Sequence, residues 1–423
     1  MIMSMSLLLA SAALSVVASG CVSEQTARPS NPYGICSHFT YSDYPTRETS
    51  ARMIREAGAG WVRFDFDWTQ IEPEPGSFTF EVTDDAVATA EKAGLGVCAI
   101  VGKQPRYAKP AYEHLDLWTN FVATVVSRYK SRIRVWEVWN EPNNSGDPLN
   151  DPTNYLQVLR AAYMTIKAID PTLFVTSGGI AGLGKRYVEP LLALGAGTYF
   201  DAMNFHPYCI PQPPEEPLLN QIRWMREKMT QYGCGDKPIW ATEMGWPTHH
   251  VSEGRDPGVS HTPVPESLQA SYTARALGLA MAGGLDAFFI YNLRASERRL
   301  WDRESHFGLI RKNSEPKAAY YAYSAFTAAR PAGSRQRTDL PWRQDSIFMP
   351  QWRRPGGEDA GMIWKTDGLA LLVCTFNGDV RFVDMYGRRK SFAKEGDGVY
   401  RLHVGADPVY FCGAELVSAK EEK

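Results

Sequence analysis

The sequence predicts an α/β fold, a parallel (β/α)8 (TIM) barrel followed by a small all-β domain. Its 423 residues are enough for one barrel of about 250–300 residues and a second, smaller domain. Up to Arg330, eight short apolar or aromatic runs alternate with segments of helical periodicity. After Arg330 the helical pattern stops, and short alternating runs separated by turn residues predict β-structure. We therefore expect a barrel over 33–330 and a linker with a β-sandwich-like domain over 331–423.

The predicted strands follow one another along the chain, and a helical segment separates each from the next. The eight strands are predicted at 33–39, 61–68, 96–102, 134–140, 173–179, 200–208, 238–244 and 286–292. The clearest helical patterns lie at 115–130, 154–169, 217–232, 266–282 and 315–329. Eight such units favour a closed barrel. An open doubly wound sheet is the main alternative, but the Gly-rich phosphate loop common in such sheets is missing. Near the end of the chain, Asn377-Gly378 between two alternating runs predicts a hairpin.

Composition narrows the classes of function. The hydrophobic content of 44% and the charged content of 22% are typical of a globular protein. The net charge of −2 gives no basic surplus for nucleic-acid binding. We therefore expect no nucleic-acid partner. The cysteines and the eight histidines show no metal-ligand spacing, so we expect no metal site. We expect no cofactor either. The 12 Trp and 20 Tyr are suited to stacking on sugar rings, although most large rings are buried in cores.

The N-terminus resembles an export signal. The apolar run from Leu7 to Val17 is shorter than the roughly 20 residues that a membrane span needs. The following Ala-Ser-Gly-Cys resembles a bacterial lipobox, which would make 1–21 a signal with Cys21 as the lipidated residue and 22–32 a polar tether. We expect a periplasmic or cell-surface lipoprotein that meets the membrane only through this lipid. A plain cleaved signal ending near Gly20, and hence a secreted protein, is the alternative.

Seven cysteines fit an oxidising compartment. With Cys21 lipidated, six remain for three disulfides. Cys209 with Cys234, and Cys374 with Cys412, are the first pairs to consider. Isolated buried thiols are an equally good interpretation.

Two carboxylates stand at predicted strand ends. The fourth strand ends in Trp-Asn-Glu-Pro, which places Glu141 there, and the seventh ends in Thr-Glu-Met-Gly-Trp, which places Glu243 there. Barrel active sites form at the carboxyl ends of the strands. An ionisable group in such an aromatic mouth is costly unless it has partners or a task. Two carboxylates on roughly opposite strands match the acid and the nucleophile of glycoside hydrolysis.

The fourth strand must end or bulge at this point. In a regular strand Asn140 and Glu141 would face opposite sides, and Pro142 helps to terminate pairing. Both side chains would then reach one pocket. The Asn140 amide would hold the 2-hydroxyl of the sugar, a contact that strengthens in the transition state.

These motifs resemble a known group of enzymes. VWEVWNEPN (135–143) and IWATEMGWPT (239–248) resemble the fourth- and seventh-strand signatures of glycoside hydrolase clan A. The segment 56–80 resembles the second-strand region of family 39 and its relatives. The resemblance covers the barrel in order and implies that Glu141 is the acid/base and Glu243 the nucleophile of a retaining β-glycosidase. It also implies that the Asn before the acid/base contacts the substrate.

The resemblance suggests further site residues. A strand-2 Arg buttresses the nucleophile in the clan, which implies an Arg63–Glu243 contact. A structural ion pair of Arg63 is the alternative, since a buried Arg must be paired. The partners considered for that pair are Asp65, Asp67 and Glu137.

The remaining candidate site residues lie on other strands and loops. The clan places a His or Tyr at the end of the sixth strand, in contact with substrate or nucleophile, which here means His206 and Tyr208. A buried, satisfied histidine is the alternative at position 206, and His38 ends the first strand in a similar way. Trp246 or Trp301 would supply a wall for sugar stacking. We expect the loops 247–265 and 293–306, with their many charges, to lie above the barrel mouth.

We therefore expect a monomeric retaining O-glycosidase that acts on a β-linked polysaccharide or oligosaccharide. Apolar Trp136 and Trp139 would raise the pKa of Glu141 so that it can donate a proton. Retention requires the two carboxyl groups about 5–5.5 Å apart, and a separation of about 6.5–9.5 Å would indicate inversion. A non-catalytic polysaccharide-binding lipoprotein on a degenerate barrel is one alternative. A metal-dependent hydrolase that uses His38 and His206 is another.

Overall fold

The computed structural model describes residues 31–41, 46–251 and 262–422. The predicted signal, Cys21 and nearly all of the predicted tether lie outside the described residues, as does 252–261 in the first predicted loop. Among the helices that are described, none has the length and apolar character to cross a membrane.

Eight parallel strands close into a barrel in chain order, which confirms the predicted fold. They are β1 (Tyr33–Cys36), β2 (Trp61–Asp67), β3 (Gly96–Gly102), β4 (Val135–Asn140), β5 (Phe174–Ala181), β6 (Met203–His206), β7 (Ile239–Ala241) and β8 (Ala287–Ile290). Parallel pairing of β1 with β8 closes the ring. The longest register joins β2 to β3, from Trp61 opposite Gly96 to Asp67 opposite Gly102.

Helices surround the barrel and match the predicted helical segments within a few residues. They are α1 (Arg47–Glu56), α2 (Trp68–Ile71), α3 (Glu81–Lys92), α4 (Leu115–Tyr129), α5 (Pro152–Ile169), α6 (Lys185–Ala193), α7 (Glu215–Gln231), α8 (Glu266–Ala282) and α9 (Ala318–Ala329). Capping side chains and prolines determine where some of these helices begin. At α5, for example, the Asp151 carboxylate accepts a hydrogen bond from the Thr153 amide, and Pro152 occupies the first turn.

Strands β6 and β7 are shorter than the sequence predicts. The predicted run 200–208 pairs only over Met203–His206, and 238–244 pairs only over Ile239–Ala241. The residues beyond each carboxyl end leave the ladder and enter the mouth of the barrel. These departures place Tyr208 and Glu243 in loops above the sheet.

The interior of the barrel has two different ends. The amino end is filled by an apolar cluster in which Trp240 stacks on Phe174 and Phe289, with ring centroids 5.2 and 6.2 Å apart. Toward the carboxyl end the inward residues become polar, beginning with Arg63 and Glu137, which are 3% and 0% exposed. The outward residues of the strands pack against the helices in one continuous core.

The C-terminal region forms two antiparallel sheets, as the all-β prediction requires. The first contains β9 (Arg335–Gln336), β10 (Arg343–Gln344), β11 (Ile347–Phe348), β12 (Gln351–Arg353), β13 (Asp359–Lys365), β15 (Arg381–Asp384), β16 (Arg389–Lys390) and β19 (Val409–Cys412). The second contains β14 (Ala370–Asn377), β17 (Ala393–Gly396), β18 (Val399–Val404) and β20 (Glu415–Glu421).

The hairpin predicted at Asn377-Gly378 is wrong. Strand β14 pairs with β18 and β20, whereas β15 pairs with β16 and β19 in the other sheet. Gly378 still adopts a positive φ of 127°, a value that favours glycine. The turn therefore connects the two sheets, because both edges of β14 are occupied by other strands.

The first C-terminal sheet packs against the barrel helices. Glu215 of α7 accepts two hydrogen bonds from Arg275 of α8, at 2.5 and 2.6 Å, and one from the Trp364 indole of β13 at 2.8 Å. A Cβ atom at Gly278 of α8 would lie 2.5 Å from the sulfur of Met362, so glycine permits this close approach. Helix α8 is buried on nearly every side as a result.

The predicted disulfides are not present. All six described cysteines are free thiols, including both proposed pairs, Cys209 with Cys234 and Cys374 with Cys412. Cys374 and Cys412 lie on strands of different sheets. All but Cys412 are buried, so the alternative of isolated buried thiols describes the structure better.

Candidate active site

A cavity of about 530 Å³ opens at the carboxyl end of the barrel and is called here the central cavity. Its walls bring together most of the predicted site residues: His38, Arg63, Asn140, Glu141, Tyr208 and Glu243. Arg303 and Glu304, from the predicted loop 293–306, also line it, which confirms that this loop borders the mouth. The central cavity therefore brings the candidate catalytic and substrate-binding side chains together.

The end of β4 departs from regular strand geometry. Trp139 and Glu141 adopt positive φ angles of 76° and 47°, which are unusual for residues with a side chain. The Glu141 amide still donates to the Gly179 carbonyl at 2.9 Å. This twist lets Asn140 and Glu141 both line the central cavity, as the sequence required. Each such conformation costs on the order of 1–3 kcal/mol, which the surrounding structure must offset.

Two glycines of β5 make room for this arrangement. A Cβ atom at Gly178 would lie 2.6 Å from the Val138 carbonyl oxygen, and one at Gly179 would lie 2.0 Å from Nε2 of His206. Neither distance is sterically possible. Both glycines end the predicted strand 173–179, and a Gly-Gly pair inside a strand is a signal of close approach that could have indicated this contact.

Glu243 is held by two donors. Arg63 donates from Nη1 to Oε1 at 2.6 Å, and the Tyr208 hydroxyl donates to Oε2 at 2.9 Å. Burial, together with the Glu243 carboxylate, raises the pKa of Tyr208 well above its usual value, so Tyr208 acts as a donor. The contacts expected for Arg63 and Tyr208 are therefore both present.

Arg63 also makes the structural ion pair that was the alternative. Its Nε and Nη2 donate to the two oxygens of Glu137 at 2.8 and 2.7 Å, and Nη2 also donates to Oδ1 of Asn140 at 2.9 Å. One guanidinium thus serves two buried carboxylates. Because the Asn140 oxygen accepts from Arg63, its amide nitrogen remains as the donor for a substrate hydroxyl.

Glu141 has a different environment. Its Oε1 lies 2.8 Å from Nδ1 of His206, and its Oε2 accepts from Nδ2 of Asn144 at 2.6 Å. His206 also approaches Glu243, with Nδ1 3.7 Å from Oε2. One carboxylate oxygen of Glu141 and one of Glu243 lie within 4.8 Å of each other. This spacing is compatible with the short separation of retaining enzymes.

The expected rise in the pKa of Glu141 is wrong for the free protein. Burial does raise the pKa, but hydrogen bonding and charge from His206, the hydrogen bond from Asn144 and the charge of Arg63 outweigh burial, and the net direction is downward. The tryptophans that were expected to raise it face elsewhere. Trp136 packs on Phe66 and Trp139 on Trp118, with centroids 5.8 and 5.9 Å apart.

The prediction that Trp246 or Trp301 forms a wall for sugar stacking is wrong, because neither side chain lines the central cavity. Trp246 is 1% exposed, packs against Tyr272 and donates from its indole to the Gln212 carbonyl at 3.0 Å. Trp301 is 59% exposed and lines neither the central cavity nor the two cavities that adjoin it. Aromatic walls come instead from Tyr41, Tyr208, Tyr291 and Phe307, which the sequence analysis did not single out as a group.

His38 lines the central cavity between the rings of Tyr41 and Tyr291, at centroid distances of 5.3 and 6.0 Å. Burial lowers its pKa, so it presents a neutral imidazole. His206 is the more central of the two histidines, because it touches Glu141 directly.

Three side chains lie close enough to hold a metal ion. Suitable ligand atoms of Glu141, His206 and Glu243 all lie within 4.8 Å of one another. His38 does not belong to this group, so the pair of histidines considered from the sequence does not form the site. The guanidinium of Arg63 already neutralises Glu243 at 2.6 Å, and its charge would oppose a divalent cation there.

Comparison with known proteins finds similarity to glycoside hydrolases. A family model described as β-galactosidase, of glycoside hydrolase family 42, matches residues 40–112. A β-xylosidase of Geobacillus stearothermophilus is 24% identical over 279 residues, which are 58% of this chain and 51% of that protein. The β-galactosidase BgaA of a Thermus species is 37% identical over 65 residues, which are 15% of this chain and 10% of that protein. The chain thus spans at most about half the length of the curated relatives it matches.

Solved structures share the fold over nearly the whole chain. A family 39 glycoside hydrolase from Bacteroides cellulosilyticus WH2 superposes with a TM-score of 0.78 at 22% identity, covering 92% of this chain and 82% of that one. A monomeric β-xylosidase from Caulobacter crescentus CB15 superposes with a TM-score of 0.62 at 17% identity, covering 92% and 96%. This chain therefore shares the barrel fold and the C-terminal all-β region of these glycoside hydrolases.

Proposed function

We propose that this protein is a retaining β-glycosidase. The observation that carries the proposal is the placement of Glu141 and Glu243 on one cavity, with a carboxylate oxygen of each within 4.8 Å of the other. This spacing is shorter than the separation of about 6.5–9.5 Å by which an inverting enzyme makes room for a water molecule between its base and the sugar. It suits direct attack of one carboxylate on a sugar whose leaving group the other protonates.

Glu243 is the proposed nucleophile. Its two oxygens are oriented by Arg63 and Tyr208, and this orientation positions the carboxylate for attack on the anomeric carbon. A covalent glycosyl-enzyme forms as the bond to the leaving oxygen breaks. Asn140, fixed by Arg63, donates to the 2-hydroxyl of the sugar.

Glu141 is the proposed acid/base. In the first step its proton passes to the leaving oxygen, and in the second step its carboxylate removes a proton from the water that hydrolyses the intermediate. His206 and Asn144 hold this carboxylate toward the cavity. Because its pKa lies below the usual value, we expect kcat/KM to be highest under acidic conditions and to fall as Glu141 loses its proton.

The substrate class follows from cavity and relatives together. Two further cavities, of about 480 and 420 Å³, share wall residues with the central cavity, which gives space for more than one sugar ring. Relatives of this chain carry the names β-xylosidase and β-galactosidase. We therefore propose a β-linked oligosaccharide or polysaccharide as the substrate, with β-xylosides as the first class to test.

The test is chemical rescue at Glu243. Glu243→Ala should reduce hydrolysis of 4-nitrophenyl β-xyloside by at least about 10⁴-fold, and added azide should restore part of the rate through an inverted glycosyl azide. The unsubstituted protein should release the β-anomer first, as followed by NMR, and should keep its rate in EDTA. Glu91→Ala, at an exposed carboxylate paired with Arg132, is the matched control. Full activity in Glu243→Ala would refute the proposal, and saturable binding of xylan without any turnover would favour the non-catalytic lipoprotein.

We also propose that the protein is exported and lipidated at Cys21. Support comes from the apolar run and the lipobox-like sequence before this cysteine. Cells fed a labelled fatty acid should incorporate it into the unsubstituted protein and not into Cys21→Ser. Equal labelling of both would overturn the proposal.

A further inference from the structure

A polar cluster beside the proposed catalytic pair has no task in the mechanism above. It consists of Tyr41, Asp65 and Lys103, called here the rim cluster. Asp65 lies on β2, and Lys103 follows the last residue of β3, so both stand at the carboxyl end of the barrel. Lys103 adopts a positive φ of 61°, a conformation that lysine rarely takes.

The rim cluster stands between two cavities. Asp65 and Lys103 line both the central cavity and the adjoining cavity of about 420 Å³, and Tyr41 lines the central one. The side chain of Asp65 is 14% exposed and that of Lys103 is 41% exposed. A sugar in the central cavity therefore has access to both charged groups without any rearrangement.

The three side chains fix one another. The Tyr41 hydroxyl donates to Oδ2 of Asp65 at 3.1 Å, and Lys103 donates to the Tyr41 oxygen. Nζ of Lys103 lies 3.4 Å from the same Oδ2 and 3.7 Å from Oδ2 of Asp67. Burial lowers the pKa of Lys103, but the Asp65 carboxylate and Tyr41 more than compensate, so Lys103 stays charged.

This arrangement leaves one acceptor and one donor facing a ligand. Among the described residues, none donates a hydrogen bond to Oδ1 of Asp65. Among the described residues, the ammonium group of Lys103 donates one hydrogen bond, to Tyr41. Its carboxylate contacts are ion pairs long enough to leave ammonium hydrogens for a ligand. An acceptor beside a donor is the pattern that two neighbouring sugar hydroxyls require.

We propose that Asp65 and Lys103 bind a pair of adjacent hydroxyl groups on the neutral sugar in the central cavity, and that Tyr41 positions Asp65. One hydroxyl donates to Oδ1 of Asp65, and its neighbour accepts from Nζ of Lys103. The inference rests on the proposed function for the identity of the ligand. Because Asn140 is assigned to the 2-hydroxyl, the pair left for the rim cluster is the 3- and 4-hydroxyls.

The charge of the cavity favours a neutral sugar over a uronic acid. Four carboxylates line the central cavity, from Asp65, Glu141, Glu243 and Glu304, against three cations, from Arg63, Lys103 and Arg303. Asp67 adds a further carboxylate beside Lys103, and Glu137 adds one beside Arg63, so the surroundings stay net negative even when Glu141 carries its proton. A substrate carboxylate placed here would meet net repulsion.

The test compares substrates that lack single hydroxyl groups. With the unsubstituted protein, the 3-deoxy or 4-deoxy form of 4-nitrophenyl β-xyloside should lose about 10- to 100-fold in kcat/KM, the size expected for a hydrogen bond to a charged group. In Asp65→Ala this penalty should shrink to within about threefold, whereas the penalty for the 2-deoxy form should remain. Lys103→Met should reduce the penalty for the neighbouring hydroxyl in the same way, and Tyr41→Phe should reduce it partly.

A matched control lies on another face of the barrel. Asp201 and Lys167 form an ion pair of 2.7 Å with exposed fractions of 22% and 21%, and Asp201→Asn should leave every deoxy penalty unchanged. Thermal unfolding of each variant shows whether it is folded. Equal deoxy penalties in Asp65→Ala and in the unsubstituted protein would overturn the inference, as would faster turnover of an aryl glucuronide than of the xyloside.

Binding separates this inference from the proposed function. An S-linked phenyl thioxyloside and its 3- and 4-deoxy forms resist hydrolysis, and their dissociation constants can be measured by calorimetry. Asp65-dependent discrimination in binding without any turnover would support the inference and refute the proposed function. Turnover without any Asp65-dependent difference between the xyloside and its deoxy forms would refute the inference and leave the proposed function standing. Failure of the thioxyloside to bind would refute both for this class of sugar.

Discussion

The two ends of the barrel interior are built on opposite principles. At the amino end, Trp240, Phe174 and Phe289 form an apolar plug that needs no partners beyond close packing. At the carboxyl end, Arg63 and Glu137 are equally buried but charged, and they are stable only because each satisfies the other. The same eight strands therefore carry a stabilising layer below and a reactive layer above.

The difference shows how the reactive layer is tolerated. Arg63 pairs with Glu137 and Glu243, and Glu141 lies beside His206. The backbone at Trp139 and Glu141, next to these groups, has positive φ angles. Side-chain changes below should thus affect stability alone, and changes above should affect activity first. The following predictions test this division, from the largest expected effect to the smallest.

Arg63→Met should have the largest effect, because it should lower both the stability and the activity of the protein. It leaves Glu137 and Glu243 buried without their shared cation, which should cost about 3–5 kcal/mol of the free energy of unfolding. Turnover of 4-nitrophenyl β-xyloside should fall close to background. Denaturant titration and initial rates measure the two effects, with the half-exposed Arg134→Met as the control. A stable and active Arg63→Met would break the comparison.

Trp240→Ala tests the apolar end. Trp240 is 1% exposed, and removing it should lower the free energy of unfolding by about 3–5 kcal/mol through the cavity it leaves. At a temperature where the variant remains folded, its kcat/KM should stay within about threefold of the unsubstituted value, since the Trp240 ring packs on Trp61, Phe174 and Phe289 at the amino end. A large loss of kcat/KM in the folded variant would show that the two ends are coupled.

Gly179→Ala tests how tightly the reactive layer is packed. The new Cβ would lie 2.0 Å from Nε2 of His206, so the ring must shift, at a cost of about 1–3 kcal/mol. A displaced His206 no longer orients Glu141, and kcat/KM should drop by about tenfold or more. Gly396→Ala, which has no neighbouring atom within 4 Å, is the control. An unaltered rate in Gly179→Ala would mean that the position of His206 is not important.

His206→Asn should change the pH dependence more than the maximal rate. His206 lowers the pKa of Glu141, whereas burial raises it, so removal of the imidazole lets burial dominate. A general acid with a raised pKa keeps its proton to higher pH, and the alkaline limb of kcat/KM should therefore move upward. Asn144→Ala should move it in the same direction by less. A limb that stays in place or moves downward would contradict the assignment of Glu141 as the acid.

The sequence predicts the framework of the site because strand alternation and strand ends are local properties. Strands β2 to β5 fall within two residues of their predicted limits at either end, and Glu141 and Glu243 reach the cavity as expected. The contact of Arg63 with Glu243 follows from a family pattern. The pattern identifies this contact even though Arg63 also donates to Glu137 and Asn140.

The errors arise where the backbone turns or where several partners compete. Trp139 sits at a positive φ, so the alternation rule no longer tells where its side chain or that of Glu141 points. The pKa of Glu141 depends on His206 and Asn144, whose positions come from other loops. Trp246 sits in a motif that looks exposed, yet a helix covers it through Tyr272. No local pattern could have joined Tyr41, Asp65 and Lys103 either.

Helix α8 has a consequence for how this protein can be divided. One of its sides belongs to the barrel and the other lies under the first C-terminal sheet, with Glu215 linking Arg275 to Trp364 across the boundary. A chain that stopped after Arg330 would uncover this apolar side and remove the indole from that buried ion pair. The barrel is therefore not a separable domain, and a fusion protein that contains it would also need the complete C-terminal region.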